Sequence, residues 1–558
     1  MSFRCFAANL VLAGVILLSG CGSAVGQSRL QTQVNFETSD VKLQGVFDAA
    51  EAKAKLNIVQ FTPVRKVLVE GGGYGNAWIE TQPMGGAMYA KRNVEIGLNN
   101  QMVFILSQRR DGRLPGMVIS SDDGIKMITE KKAPAWMLWR PKAMILADFE
   151  MFQGYCFPQP AWQMYFWAGK DKEYLRQVYK ALEGHDEYLW RTRDSNDDGL
   201  LETWCVWDTG EDGSVRYNLR NAPARWPFDF PPGSKEVEKG ERFWFRKPPE
   251  ADEVMVPFAS MDVMGYSFDG RNTLAKISKE LGNGRAEYWQ KKAGEVRQRL
   301  IDKLWDPSRH ACFDRDRKGN QLDELIHNNL RVMYHGVFTQ SMADAFIKNH
   351  LLNPDEFWTP FPLPSIAVND PLYRDIPGNN WSGQPQGLTY QRAIAALENY
   401  GHFAEVSLLG EKLLNAIVRN DYRFCQQLDA ETGKQEGKRK KDGYGPMILA
   451  ALEYISRMYG VHLDVADGEV WWSAVGDKDF SYSQKWGQRT WSLTCRDGEF
   501  VGRLDDKELF RCSEGVRVVT DFQGNVRKIA GIDSEPRDIV LKTAGRRNKL
   551  IVRPNYVY

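Results

Sequence analysis

The sequence predicts a mainly α-helical protein: a closed ring of paired helices over residues 78–462, led by a short β-containing segment and followed by a β-sandwich over 463–558. Three observations predict it. Apolar residues recur at helical spacing in roughly a dozen stretches between 78 and 460. Those stretches show no fixed short period, which excludes a superhelical repeat array. After 463 the pattern changes to short alternating runs broken by Gly, Asp and Asn, a strand-and-turn signature.

The chain opens with "MSFRCFAANLVLAGVILLSGCGSAVGQ", in which Arg4 precedes an apolar run over 10–18. That run is too short for a spanning helix and reads as a signal peptide. It ends in Leu18-Ser19-Gly20-Cys21, which resembles the lipobox of bacterial lipoproteins. The resemblance implies cleavage before Cys21, lipidation of its thiol and residence at the cell envelope, in the outer membrane or periplasm. Cleavage a few residues later, after Ala24, would make it an ordinary secretory signal; either way the chain is exported. No other run approaches transmembrane length, so lipid is the only membrane anchor expected. Residues 22–77 form a tether and lead-in, helical over 46–58 and β-like over 58–73.

Within the ring region, 93–109, 172–193, 261–281 and 286–306 read as helices, as do "APAWMLWRPKAMILADFEMFQGY" (133–155), "PAWQMYFWAG" (160–169) and five further segments up to 460. In 286–306 a stripe of Trp289, Ala293, Val296, Leu300 and Leu304 marks the buried face. Long loops rich in Gly, Pro, Asp and Trp alternate with short ones, so the long set is expected to gather at one end of the ring and carry function.

Composition narrows the function. The 558 residues carry a net charge of +1, which gives no basic face for nucleic acid. The run "GKRKKDG" (437–443) is short and reads as solvated loop. Eighteen Trp suit either large cores or a site that stacks ring-shaped ligands. The cysteines after Cys21 show no zinc-type spacing; Cys495 and Cys512 share a region and are the one pair open to bonding. "DSNDDG" (194–199) meets the first half of a calcium loop through Asp194, Asn196 and Asp198. Its twelfth position is Cys205 where a bidentate Glu is wanted, so a polar turn is the simpler reading and Glu202 alone keeps a calcium site open. "EGGGYG" (70–75) is not a dinucleotide or phosphate loop. No metal centre is expected beyond that calcium option, and no cofactor.

Three segments hold the chemistry. "WDTGEDGSVRY" (207–217) sets acids and an arginine among aromatics. "WSGQPQ" (381–386) leads into a helix ending "ALENYG", and "QQLDAETG" covers 426–433. In this order and spacing they resemble the signatures of the six-hairpin, (α/α)6-toroid glycosidases: trehalases, processing α-glucosidases and mannosylglycerate hydrolase-like proteins. The resemblance covers roughly 70–460. It implies an (α/α)6 toroid and an inverting hydrolase of an α-linked glycoside, with carbohydrate as the substrate. The acid of the first signature falls on Asp212 and its substrate-orienting arginine on Arg216. Trp381 and Gln384 become a subsite wall and a donor. Glu80 and Arg92 fall in an early loop where relatives bind sugar, and Gln159 in "YCFPQPAW" matches a pocket-lining amide.

The chemistry needs two carboxyl groups, one to protonate the leaving oxygen and one to activate water. Aromatic walls such as Trp204, Trp207 and Tyr217 would raise the proton affinity of Asp212. Where the resemblance places the base, the chain has Gln426, and an amide cannot take a proton from water. Asp429, Glu431 and Glu80 stand as candidates in its place, with Gln426 as a substrate-binding amide. Gln426 also favours a rival: a non-catalytic carbohydrate-binding protein on the same fold. An α-L-rhamnosidase-like enzyme or a lyase would keep the ring and change the acids.

Overall fold

The structure is a computed structural model that describes residues 30–218, 222–234, 256–378, 380–435, 441–476 and 478–558. The signal run with Cys21, and 437–440 of the basic run, lie outside the described residues.

The helical part is built from antiparallel hairpins. Met261–Leu281 and Ala286–Lys303 form one, turned by Gly282 in the left-handed region at φ 65°. Trp289, Ala293, Val296 and Leu300 are its buried stripe, as helical spacing predicts. Side-chain caps start several helices: Asn93 accepts from Ile96 N, and Asp171 from Glu173 N and Tyr174 N. The last helix, Gly445–Met458, is buried at every position and is called the central helix below. It packs against Gly387–Glu398, Phe403–Arg419 and the N-terminal helix Val41–Leu56.

The strand content of this part exceeds the expectation. Residues 133–155, expected as helix, instead give Met137–Arg140 and Ile145–Asp148. These join Met117–Ile119 and Ala77–Trp78 in a four-stranded antiparallel sheet. Ile145–Asp148 is buried along its whole length, so it shows no alternation, and a short apolar run alone does not distinguish strand from helix.

From Tyr459 onward the chain is strands. Tyr459–Asp464, Glu469–Ala474, Val516–Asp521 and Val526–Gly531 make one antiparallel sheet. Phe480–Trp486 through Ser513, then Arg537–Thr543 and Arg546–Val552, make the other. The two sheets meet through Trp472 against Phe510, rings 5.6 Å apart, and Tyr459 against Phe480 at 5.8 Å. The second sheet gains a seventh strand from the expected tether: Thr32–Thr38 pairs antiparallel with Phe480–Trp486. Cys495 and Cys512 do not bond. Both face Phe500 on the strand between them, so a full strand separates them, about 10 Å at two inter-strand spacings.

Candidate active site

The loop 207–217 is held from below by two buried ion-pair systems. Asp208 pairs with Arg193 at 2.5 Å and accepts from Phe152 N and Trp204 N. The Arg193 guanidinium lies 4.2 and 4.0 Å from the Phe152 and Trp204 ring centres, a stacked, desolvated cation. Three residues on, Glu211 is bound by Arg216 at 2.8 Å and by Thr209 Oγ1 at 2.6 Å. Burial opposes its ionisation, but Arg331 and Arg216 outweigh that and hold its carboxyl well below the usual range.

Arg216 is the hub of the second system. It also meets Asp262 at 2.8 Å, Asp314 at 2.6 Å and Ser260 Oγ at 3.2 Å. With 1% exposure and its donors committed to three carboxylates, it clamps the loop to the start of helix Met261–Leu281 and to the segment around 314. The residue expected to orient a sugar is thus placed among carboxylates of the chain itself.

Between these anchors Asp212 rises half-buried. The indole N–H of Trp207 donates to its Oδ1, and its backbone oxygen accepts from Trp381 N at 2.9 Å. Ser382 Oγ donates to Gly213 O at 2.6 Å, so the 207–217 and 381–386 loops are laced together. Trp381 is buried against His327, with ring centres 5.5 Å apart. Gln384 is committed to Asp375 at 3.0 Å.

Glu80 packs against the same loop. A methyl at Gly210 would sit 2.6 Å from Glu80 Oε2, and one at Gly154 would sit 3.0 Å from Oε1; both glycines have positive φ. Gln153 Nε2 donates to Glu80 at 3.0 Å, and Arg392 lies 3.5 Å away. Burial pushes the Glu80 carboxyl up to about 7, against the pull of Arg392 and Arg331, and the Asp212 charge adds to the rise.

A third carboxyl, Glu70, completes the group, and sequence reasoning missed it. Burial, the Glu80 charge and the Asp212 charge all raise its proton affinity, while a hydrogen bond with Tyr444 lowers it. Its backbone oxygen accepts from Gly445 N at 2.6 Å, at the head of the central helix. The glycines after it allow this approach: at Gly71, φ 73°, a methyl would collide with Gly443 O at 2.3 Å. Tyr74, on the same turn, donates to Gln426 Oε1 at 3.0 Å. The glycine run dismissed as a phosphate loop was the available signal; it marks a tight backbone junction.

Other expected residues lie elsewhere. Arg92 pairs with Glu51 at 2.5 Å and lines a groove of about 1260 Å³ beside Thr32, Leu98 and Lys485, against the strand-rich part. Gln159 sits half-buried in the first turn of Pro158–Trp167, while Gln153 supplies the amide that reaches Glu80. Asp429 caps its own turn, accepting from Glu431 N, Thr432 N and Thr432 Oγ1, and Glu431 is exposed, so neither joins the carboxyl group. In 194–199, Asp194 accepts from Gly199 N and Asp198 from Leu200 N and Asn196 Nδ2, while Glu202 accepts from Trp204 Nε1. Among the described residues no cluster of three or more potential ligands is poised for a metal.

A helical body with long loops converging on several carboxyls, followed by a strand-rich part, is the architecture of toroid-type glycosidases. Residues 80–445 match the mannosylglycerate hydrolase MGH1-like glycoside hydrolase domain, and the chain belongs to that family. It is a glycoside hydrolase. Among solved structures, the GH63 mannosylglycerate hydrolase from Thermus thermophilus, in complex with glucose, is 16% identical with a TM-score of 0.55. That match covers 73% of this chain and 99% of the other. A sialidase matches at 14% identity and TM-score 0.62, over 88% of this chain and 42% of its own. An α-L-rhamnosidase from Dictyoglumus thermophilum matches at 11% and 0.50, over 89% and 47%. No curated protein matches the chain in sequence.

Proposed function

We propose that the chain hydrolyses an α-linked glycoside with inversion, at the bacterial cell envelope, inside helices that close as an (α/α)6 toroid. Asp212 is the general acid. The observation that carries this reading is the placement of Asp212: half-buried, oriented by Trp207, tied to Trp381 and within the field of two buried carboxyls. A carboxyl so held delivers a proton to the leaving oxygen without first reorganising. Inversion then needs a second carboxyl on the far side of the sugar, about 6.5–9.5 Å away, with room for water. Half-buried Trp207 offers an apolar edge for the ring, and half-buried Gln426 an amide for its hydroxyls. Envelope location rests on the signal run and Cys21; among the described residues no helix is long and apolar enough to cross a membrane.

The test has two parts. Proton NMR of aryl α-glycosides during cleavage should show the β-anomer released first. Asp212→Asn should keep the fold, being nearly isosteric, and lose about 10²–10⁴-fold in turnover of unactivated glycosides. First release of the α-anomer, or near-normal turnover by the variant, rejects the mechanism.

A further inference from the structure

An inverting hydrolase needs a base, and position 426 holds an amide that cannot serve. Asp429 and Glu431 are spent on a surface turn or exposed. Glu80 is walled in by the backbone of Gly154 and Gly210 and held by Gln153 and Arg392. Glu70 is also buried, but it sits on a different loop with a different set of partners. It enters from the N-terminal side, on a glycine turn docked to the head of the central helix, and Tyr74 of that turn seats Gln426. Tyr444 hydrogen-bonds the Glu70 carboxyl, and the Tyr74 and Tyr444 rings lie 6.4 Å apart, framing it. The charges of Glu80 and Asp212 both act on the Glu70 carboxyl, so it lies within electrostatic reach of the acid.

We infer that Glu70 is the general base of this enzyme, a carboxylate brought to the Gln426 position from a neighbouring loop. The inference rests on Asp212 as the acid. Residue 70 lies ahead of the family-matched segment 80–445, so the match assigns it nothing. In the step, the Glu70 carboxylate takes a proton from water as the water oxygen bonds to the anomeric carbon. The glycosidic C–O bond breaks, and the Asp212 proton passes to the leaving oxygen. One proton enters at Glu70 and one leaves at Asp212, so exchange with solvent resets the pair. Tyr444 donates to the ionised form of Glu70 and holds one of its oxygens, leaving the other for water.

The test uses the full chain and the α-glucosyl and α-mannosyl fluorides, alongside matching aryl α-glycosides. Glu70→Gln should fold, checked by circular dichroism, and lose about 10²–10⁴-fold in turnover. Glu70→Ala with added azide should yield the β-glycosyl azide, because the small anion attacks without needing a base. Should Glu70→Gln not fold, Glu70→Asp carries the test: kcat falls with KM little changed. Wild-type turnover by Glu70→Gln or Glu70→Asp overturns the assignment, as does azide product from Glu80→Ala and none from Glu70→Ala. If Asp212→Asn is inactive while Glu70→Gln is not, Glu70 alone is wrong. If Asp212→Asn is active, or the unmodified protein cleaves none of these substrates, the underlying reading fails and takes this one with it.

Discussion

At the scale of single residues, the acid loop shows how one charge can be structural and its neighbour chemical. Arg216 and Asp212 are four positions apart, yet Arg216 lies under the loop among Glu211, Asp262 and Asp314 while Asp212 stands on top. Removing a buried cation strands the carboxylates around it, at about 3–5 kcal/mol. Arg216→Gln should therefore lower stability by that order in urea unfolding. Unchanged stability with only a raised KM would falsify the structural role. Glu80 gives a pH signature. Its folded value of about 7 exceeds the ordinary 4.5, so between those values the folded state binds more proton than the unfolded. Its contribution is fully present below pH 4.5 and is lost as pH rises through 7, amounting to about 3 kcal/mol at 1.36 kcal/mol per unit. The stability difference between wild type and Glu80→Gln should shrink or change sign over pH 4.5–8, read from urea midpoints. A difference flat with pH rejects the raised value.

At the scale of elements, the long amphipathic helices were legible because their periodicity is local: Met261–Leu281 matches the expected 261–281. The segments that escaped are those whose partners lie far away. Thr32–Thr38 is a strand only because Phe480–Trp486 pairs with it, some 450 positions on. The site divides in the same way. Asp212, Trp381 and Glu80 lie in loops whose residue types announce chemistry. Glu70, Gln153 and Arg392 join them only through tertiary contact, and sequence order cannot tell that Arg216 lies on the core side of its loop. The fit between the acid loop and Glu80 depends on Gly210, where φ is 72° and a methyl would overlap the carboxylate. Gly210→Ala should cost about 1–3 kcal/mol in strain and lower kcat as the loop shifts. Thermal melts with kinetics on the same samples check both, and a variant normal in both would show that the contact is slack.

At the scale of the molecule, the helical and strand-rich parts are joined by a buried charge network as well as by the N-terminal strand. Lys91 pairs with Glu453 at 2.7 Å, and Glu453 with Arg457, both on the central helix. Arg457 reaches Glu398 at 3.4 Å, and Glu398 reaches Arg517 of the sheet at 3.1 Å. The Arg517 guanidinium is 2% exposed and lies over Trp471 at 4.4 Å and Phe403 at 4.9 Å, one ring from each part. The central helix is therefore bonded on one side to the glycine turn that presents Glu70, through Gly445, and on the other to the sheet, through Glu398. A network buried at both ends couples the parts, because opening the junction exposes charges in one and apolar rings in the other. Arg517→Ala deletes the sheet's member and leaves Glu398 with Arg457 alone. The expected cost is about 3–5 kcal/mol. Far-ultraviolet circular dichroism follows the helices and tryptophan fluorescence follows both parts. The wild type should unfold in one transition by both probes, and in the variant both midpoints should fall together. If the helical signal held its midpoint while the fluorescence signal moved, the junction would be a passive seam, and the strand-rich part would contribute nothing to holding the glycine turn in place.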